Sequence, residues 1–119
     1  MRLPSRFAYD RPYGALIHPG QRAVVVIAMI VARRYVVTGR VQGVGFRYFA
    51  QDAAVREGVS GYVRNRPDGS LEAHVEGDLE AVTRVERALA QGPPGARVDD
   101  LAVEPAQPTG RTSGFRITT

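Results

Sequence analysis

Hydrophobic and polar residues follow two different periods along this chain, and each change of period marks a change between strand and helix. The β-branched run VARRYVVTG, residues 31–39, predicts a strand that ends at a glycine. From Phe46 to Ala54 apolar residues recur every three or four positions, so we expect a helix over residues 47–57, ended by Gly58. The stretches VSGYVRN and RPDG then predict a second strand and a tight hairpin turn.

A third strand follows the hairpin, because the residues of SLEAHVEG alternate between apolar and polar. We expect one face of this strand to lie in the core and the other to face solvent. The inward residues are Leu71, Ala73 and Val75, and the outward residues are Glu72, His74 and Glu76. His74 is then a solvated histidine rather than a metal ligand or a catalytic group, because no second histidine is near it in the sequence.

A second helix begins after Asp78, whose side chain can cap it, and ends before Gly92. Its inward residues at helical spacing are Leu79, Val82, Val85 and Leu89. The stretches RVDDLAVE and FRITT predict two further strands. The order β-α-β-β-α-β with a short additional strand is that of the ferredoxin-like split βαβ sandwich, an α+β fold. We therefore expect an antiparallel sheet with two helices on one face.

The leading residues do not share this regularity. Residues 1–22 contain three prolines and no hydrophobic period, and the apolar run of residues 23–32 is too short to span a bilayer. We interpret residues 1–28 as a disordered N-terminal extension and residues 29–119 as the functional domain. Met29 lies inside the apolar run, and a start at this residue would mean that the first 28 residues are not made.

Composition narrows the chemistry that this domain can carry. There is no cysteine, which excludes disulfides, thiolate catalysis and cysteine-based zinc sites, and which fits a cytoplasmic protein. All 16 basic residues are arginine, so a Schiff-base lysine is excluded as well. The formal net charge of +4 would suggest a nucleic-acid partner, but most of the excess lies in the leading residues. The domain itself lacks the basic surface that nucleic-acid binding usually needs.

The loop GRVQGVGFR, which joins the first strand to the first helix, is the strongest candidate for a binding site. Its glycines allow successive backbone amides to turn inward as an anion-binding nest, and the helix N-terminus adds unpaired N–H groups. Arg47 can donate two hydrogen bonds to phosphate oxygens, although its charge is unfavourable there for stability. We expect Tyr48 at the rim and Phe49 in the core. A phosphate site and a glycine-rich turn with a solvated arginine fit this spacing equally well.

Asn65, at the end of the second strand, is the second candidate. A right-handed β-α-β connection makes the first two strands parallel, so both end at the same end of the sheet. Asn65 can then approach an anion held by the glycine-rich loop. The alternative is that Asn65 starts the hairpin turn, a position where asparagine is frequent, and for this residue taken alone the alternative is favoured.

Taken together, GRVQGVGFR, GVSGYVRNRPDG and the closing FRI resemble the acylphosphatase family, from about residue 31 onward. The resemblance implies a ferredoxin-like fold and hydrolysis of the carboxyl–phosphate bond of acyl phosphates to a carboxylate and inorganic phosphate. It also implies that Arg47 is the catalytic, phosphate-binding arginine and that Asn65 orients the attacking water. The phosphate-binding loop on this view comprises Val41, Gln42, Gly43, Val44, Gly45 and Phe46, together with Arg47.

The implied reaction makes few further demands. Phosphoryl transfer depends mainly on positioning and charge stabilisation, which the loop and Arg47 supply, so we expect no metal ion and no cofactor. We expect a monomer in the cytoplasm that acts on a small-molecule acyl phosphate, with neither nucleic acid nor membrane as a partner. Asp99 and Asp100 could suggest Mg²⁺, but a place on a strand beside a turn explains them better.

Two other classes of protein share this order of elements. Single-stranded RNA binders stack bases on aromatic residues of the central strands, but the third strand here offers aliphatic residues on one face and acids with a histidine on the other. The second alternative is an acylphosphatase-like accessory domain that binds or hydrolyses carbamoyl phosphate within a larger maturation protein. Further domains normally follow such a domain, and none follows in this sequence.

Overall fold

The computed structural model describes residues 29–119 and contains the predicted order of elements. The strands are β1 (Ile30–Arg40), β2 (Ser60–Asn65), β3 (Leu71–Asp78), β4 (Arg97–Ala106) and β5 (Phe115–Thr118), and the helices are α1 (Phe46–Glu57) and α2 (Leu79–Gln91). Neither helix in this part of the chain has the length and apolar content needed to span a bilayer. The predicted extension over residues 1–28 lies outside the described residues.

The five strands form one sheet in the order β4-β1-β3-β2-β5. β3 is antiparallel to both of its neighbours, β1 and β2, and β4 is antiparallel to β1. β5 is parallel to β2, so the sheet is mixed and the prediction of an antiparallel sheet is wrong in this respect. The reason is the connection after β4, which crosses one end of the sheet to the opposite edge and returns β5 against the direction of β4.

The hydrophobic core lies between one face of the sheet and the two helices. Its members include Leu71, Ala73 and Val75 on β3, Ala50, Ala53 and Ala54 on α1, and Val82, Val85 and Leu89 on α2. The two hydrophobic periods predicted this set, except that Leu79 and Phe49, which were also assigned to the core, are only half-buried. The helices are thereby fixed on the sheet by the side chains that the pattern assigned to the core.

Polar contacts at its start and near its middle hold α2 against the sheet. Asp78 caps the helix as predicted, because its Oδ2 accepts a hydrogen bond from the Glu80 amide at 3.1 Å. Further along, Glu86 Oε1 accepts hydrogen bonds from the buried Tyr35 hydroxyl and the Arg33 guanidinium of β1, both at 2.9 Å. Burial, together with the bond to Glu86, raises the pKa of Tyr35 far above its usual range. The phenol therefore stays protonated and keeps its bond to α2.

The outward face of β3 is polar, as predicted, but it is not solvated. Glu72 is only 6% exposed, and its carboxylate accepts hydrogen bonds from the Tyr62 hydroxyl at 2.6 Å and from Arg64 at 3.0 Å. Burial acts to raise the pKa of Glu72, but these bonds and the charge of Arg64 outweigh it, so the pKa lies below its usual range. His74 is half-buried and stacks on the Tyr62 ring, with ring centroids 5.8 Å apart. The prediction of a solvated His74 is therefore wrong.

Glu76, on the same face, is 2% exposed because the β4–β5 connection covers it. Its carboxylate accepts hydrogen bonds from the Thr109 amide at 2.9 Å, the Thr109 hydroxyl at 2.8 Å and the Gly110 amide at 2.9 Å. The prediction that Glu76 faces solvent is wrong for a simple reason, since the covering segment is distant in sequence and has no period of its own. The buried acid anchors the connection that carries the chain from one edge of the sheet to the other.

Candidate active site

β1 and β2 end at the same end of the sheet, as the right-handed β-α-β connection predicts. Both strands pair with β3, where Leu71 is the register partner of Val37 on one side and of Asn65 on the other. Neighbouring strands are about 4.8 Å apart, so Asn65 lies roughly 10 Å across the sheet from β1. The glycine-rich loop leaves β1 after Arg40 and therefore begins at the end of the sheet where Asn65 lies.

Two glycines determine the path of this loop. Gly43 and Gly45 have φ angles of 74° and 78°, in the left-handed region where a residue with a Cβ is strained. No atom lies within 4 Å of the place that a Cβ would take at either position. The need for glycine therefore comes from the backbone conformation and not from crowding. Left-handed residues in a loop turn successive amides to one side, as in anion-binding nests.

Backbone N–H groups in the loop and in the first turn of α1 have no internal acceptors. Of the hydrogen bonds formed between residues 29 and 119, none is donated by the amides of residues 43–48. The first bond of the helix runs from the Phe49 amide to the Gly45 carbonyl at 3.1 Å, and Gly45 has no side chain with which to cap the earlier donors. Consecutive free donors thus lie at the positive end of the helix dipole, an arrangement that binds anions.

Arg47 lies in the first turn of α1 and is half-buried. About half of the other arginines of the described chain pair with an acid in it, as shown by Arg33, Arg34, Arg64, Arg84 and Arg97, and the rest, such as the exposed Arg56, do not. No such ion pair joins Arg47 to an acid of residues 29–119, and the first turn of α1 contains no acidic residue. A guanidinium beside the positive end of a helix is unfavourable, and a bound anion would remove the conflict.

Asn65 carries an unsatisfied group at the same place. Its Oδ1 atom is buried and has no hydrogen-bond partner within the described part of the chain. Buried polar side-chain atoms nearly always have a partner, so an unpaired acceptor in a native fold requires an explanation. A hydrogen-bond donor that enters the site, such as a water molecule, would supply one. The alternative that Asn65 merely begins the hairpin turn does not account for its unpaired oxygen.

Arg47 and Asn65 line one cavity of about 110 Å³. The rest of its lining consists of Val41, Gly43, Gly45, Phe46 and Tyr48. Two further residues that were predicted for the site, Gln42 and Val44, lie outside this lining. One water molecule takes up about 30 Å³ in the liquid, so the cavity suits a group as small as phosphate. Drug-sized ligands need roughly 300–1,000 Å³, which this cavity does not offer.

A sequence model of the acylphosphatase family matches residues 33–117. The chain is 52% identical over 87 residues to an acylphosphatase of Anaeromyxobacter dehalogenans, in an alignment that covers 73% of this chain and 94% of the relative. It is 48% identical over 85 residues to an acylphosphatase of Koribacter versatilis, covering 71% of this chain and 77% of that protein. The chain belongs to the acylphosphatase family.

Solved structures agree with this assignment of the fold. The crystal structure of the Bacillus subtilis acylphosphatase superposes with a TM-score of 0.71 at 37% identity, covering 76% of this chain and all of that one. A full-length HypF in its phosphate- and nucleotide-bound form also matches, with a TM-score of 0.71 at 28% identity, over 79% of this chain but only 12% of that protein. Family and fold together support acyl phosphate hydrolysis, with a small molecule as the substrate of this acylphosphatase.

Near the cavity of this acylphosphatase, one residue lies where the sequence placed it and another makes contacts that the sequence did not indicate. Tyr48 is 66% exposed at the rim of the cavity, where the sequence predicted it. The side chain of Gln42 was not predicted to have a role of its own, yet its Nε2 donates hydrogen bonds to the carbonyls of Arg66 and Ser70. A signal was present in the sequence, because Gln42 is the single amide side chain in a loop of valines and glycines.

Other concave or acidic places in the described chain offer less chemistry. A larger open groove of about 550 Å³ lies at the start of β1, and apart from Arg33 its lining is uncharged and mainly aliphatic. Asp99 is paired with Arg97 at 2.8 Å, as expected for an acid on an exposed strand. Within residues 29–119 no three metal-ligating side chains gather at one point. The small cavity at Arg47 is therefore the place where unpaired donors and an unpaired acceptor meet.

Proposed function

We propose that this acylphosphatase hydrolyses acyl phosphates by direct attack of water on phosphorus, with the phosphoryl group held in the glycine-rich loop. The observation that carries the proposal is the convergence of unpaired loop amides, Arg47 and the unpaired oxygen of Asn65 on one small cavity. The binding residues are those from Val41 to Phe46 together with Arg47, and the catalytic residues are Arg47 and Asn65. A dianion needs donors and an attacking water needs an acceptor, and these groups offer both.

The leaving group explains why the mechanism needs no general acid. An acyl phosphate expels a carboxylate, which is a weak base, so its oxygen requires no proton as the P–O bond breaks. Phosphoryl transfer passes through a loose transition state in which charge spreads over the equatorial phosphoryl oxygens. Arg47 and the loop amides act on this charge, because their N–H groups are preorganised around the place where it develops.

Asn65 orients the nucleophile in this mechanism. Its Oδ1 accepts a hydrogen bond from the attacking water and thereby directs an oxygen lone pair toward phosphorus. A neutral amide is not a base, but a loose transition state demands little activation of the water. The proton of the water passes to a phosphoryl oxygen of the substrate, so that the products are a carboxylate and inorganic phosphate.

The same groups make the reaction independent of a metal ion and of any cofactor. In enzymes that use Mg²⁺ for phosphoryl transfer, the metal neutralises phosphoryl charge. In the proposed mechanism a guanidinium and backbone donors stabilise this negative charge, so a divalent ion is not needed for the purpose. A chelator added to the assay should therefore leave phosphate release unchanged.

Release of inorganic phosphate from acetyl phosphate tests the proposal. The wild-type chain should release phosphate with and without EDTA, and Arg47→Ala should lower turnover by about 10²–10³-fold, as expected for loss of a donor to transition-state charge. Arg56→Ala is the matched control, because Arg56 is an exposed arginine in the last turn of the same helix. Near wild-type turnover in Arg47→Ala would overturn the mechanism.

The similarity to part of HypF raises a second candidate, an acylphosphatase-like domain that acts on carbamoyl phosphate within a maturation system. The same cavity would bind that phosphoryl group, so the geometry does not discriminate between the two substrates. Their kcat/KM values do: a free-standing acylphosphatase should cleave acetyl phosphate at least as well as carbamoyl phosphate. A strong preference for carbamoyl phosphate would favour the accessory domain.

We further propose that the active unit is a cytoplasmic monomer and that residues 1–28 take no part in the reaction. Every residue assigned to the site comes from one chain and from residues 41–65, and a chain without cysteine suits a reducing compartment. Nucleic acid is not expected as a partner, because Arg34 and Arg64 on the open sheet face are paired with glutamates. Sedimentation of the active protein and the N-terminal mass of the native chain test these points.

A further inference from the structure

The side chain of Gln42 connects the glycine-rich loop to the β2–β3 hairpin. Its Nε2 atom donates one hydrogen bond to the Arg66 carbonyl at 2.8 Å and a second to the Ser70 carbonyl at 3.0 Å. The side chain is half-buried, and both protons of its amide group are used. Within residues 29–119, these are the hydrogen bonds that join residues 41–45 to residues 65–70.

The hairpin that receives these bonds is cross-linked by hydrogen bonds of its own. The Arg66 amide donates to the Ser70 carbonyl at 2.8 Å, and the Gly69 amide donates to the Arg66 carbonyl at 3.1 Å. Asp68 accepts further bonds from the Ser70 amide at 2.9 Å and the Ser70 hydroxyl at 2.6 Å. Arg66 directly follows Asn65, so a contact that fixes Arg66 also fixes the residue that lines the cavity.

The loop, in contrast, has few internal restraints at the same place. The amides of residues 43–45 donate to no other described residue, and both glycines of this segment are in conformations that only glycine adopts readily. The distance between the loop amides and Asn65 is thus set by a small number of contacts. A misplacement of reacting groups by about 1 Å can cost about 10²-fold in rate.

We propose that Gln42 is a positioning residue, whose side-chain amide holds Asn65 at the working distance from the phosphate-binding loop. This role rests on the proposed function of the site. It differs from the backbone role that the sequence assigned to Gln42, because it depends on the side chain and acts through Asn65. The residue has no contact with the phosphoryl group in this role and does not itself take part in the bond changes.

The chemistry of an amide explains why glutamine suits this position. Two carbonyl acceptors require two N–H donors on one uncharged group, which glutamine offers. Glutamate has the same shape but presents only acceptors when ionised, so Gln42→Glu would set like charges against each other. Methionine is similar in length and shape but has no donor, so Gln42→Met removes both bonds with little change in volume.

A matched control is present in α1. Gln51 is a second half-buried glutamine, and its Nε2 donates to the main-chain carbonyl of Phe115 at 3.0 Å, outside the cavity lining. Gln42→Met removes two such bonds and Gln51→Met removes one, so both variants should lose stability in urea unfolding. Only Gln42→Met should lower kcat for acetyl phosphate, by roughly 10–10²-fold. The inhibition constant of inorganic phosphate should change much less than kcat, because the loop amides and Arg47 remain.

A double-mutant cycle with Asn65→Ala separates positioning from a general effect on the fold. If Gln42 acts through Asn65, then Gln42→Met should lower kcat hardly at all in a chain that already carries Asn65→Ala. Additive losses of kcat in this cycle, or an unchanged kcat in Gln42→Met, would overturn the role. Should Gln42→Met fail to fold, Gln42→Ala, which also removes both donors without adding a charge, carries the same cycle.

The outcomes also distinguish this inference from the function on which it rests. Hydrolysis that depends on Arg47 but not on Gln42 leaves the proposed function intact and removes the positioning role. An absence of phosphate release from acyl phosphates in the wild-type protein would overturn both.

Discussion

The amide oxygen of Asn65 is buried without a hydrogen-bond partner among residues 29–119. A buried acceptor without a partner in the protein lowers stability by roughly 1–3 kcal/mol when no water molecule takes the partner's place. Natural proteins need only enough stability to stay above a threshold, so they can retain a residue that reduces stability. Such a residue often serves a function. The unpaired oxygen is therefore better explained by what enters the cavity than by the needs of the fold.

Replacement of Asn65 by alanine should affect turnover and stability in different ways. We expect kcat for acetyl phosphate to fall by about 10²-fold, because the attacking water loses the hydrogen bond that orients it toward phosphorus. The free energy of unfolding should not fall and should rise by up to about 1 kcal/mol, since the substitution removes a buried oxygen that has no protein partner. Urea unfolding and steady-state kinetics measure the two quantities. Loss of phosphate binding with unchanged kcat would assign Asn65 to binding instead.

Sequence reasoning located Arg47 and Asn65 because their positions follow from topology. One residue lies just after the loop and the other ends the parallel strand, so the handedness rule alone brings them to one end of the sheet. The contacts of the Gln42 side chain could not be predicted in the same way. They depend on the distance between a loop and a hairpin that are far apart in sequence, and no period reports such a distance.

The outward face of β3 shows how one strand can connect distant segments of the chain. Its two glutamates are buried, and each accepts several hydrogen bonds from other elements. Glu76 holds the β4–β5 connection through the amides of Thr109 and Gly110. Burial acts to raise the pKa of Glu76, but these bonds outweigh it, and the pKa lies below its usual range. The carboxylate is thus ionised in the folded protein and is part of what keeps β5 in place.

Stability should consequently fall in acid. A carboxyl whose pKa is lower in the folded than in the unfolded chain stabilises the fold above its ordinary pKa, and this contribution is lost as pH falls through the folded value. Glu76→Gln should lower the free energy of unfolding at pH 7 by about 2 kcal/mol, because bonds to a charged acceptor are lost. The variant should also lose less further stability than the wild type between pH 5 and pH 3.

The exposed Glu104 provides the control for this experiment. Its ion pair with Arg34 is at the surface, so Glu104→Gln should change stability at pH 7 by less than about 1 kcal/mol. Urea unfolding at several pH values measures both variants. If the free energy of unfolding of Glu76→Gln and of the wild type depended equally on pH, the Glu76 carboxyl would not be ionised in the folded state.

The elements themselves were predictable because each is long enough to show its period. α2 shows this well: the sequence placed its cap at Asp78 and its end before Gly92, and the structure agrees. The direction of β5 was not predictable. It depends on which edge of the sheet the strand joins, and a strand of four residues carries no information about that edge. The burial of Glu72 and Glu76 was missed for a related reason, because alternation distinguishes the two faces of a strand but does not reveal what covers each face.

In the whole molecule, the site occupies one end of a sheet whose helices lie on a single face. The cavity draws on the loop after β1, the first turn of α1 and the last residue of β2, so it is complete only in the folded chain. Binding of an anion to this site should therefore be linked to folding. The stability of the protein can report occupation of the site without any reaction taking place.

Inorganic phosphate should raise the midpoint of thermal unfolding. A ligand that binds only the folded state at 100 times its Kd stabilises it by about 2.7 kcal/mol, which corresponds to a shift of several degrees in a domain of this size. Arg47→Ala should largely abolish the shift, and sodium chloride at equal ionic strength should not reproduce it. An equal shift in Arg47→Ala would place the bound phosphate elsewhere on the molecule.

The small volume of the cavity has a consequence for the range of compounds that the enzyme accepts. In the proposed binding mode, a cavity of about 110 Å³ holds the phosphoryl group and leaves an attached acyl chain outside, beside the exposed ring of Tyr48. Discrimination between short and long, or aliphatic and aromatic, acyl groups then rests on contacts at an open surface, which are weak. We therefore expect the enzyme to accept many acyl groups, so that the compounds it removes in a cell depend on which of them accumulate rather than on recognition of the acyl group.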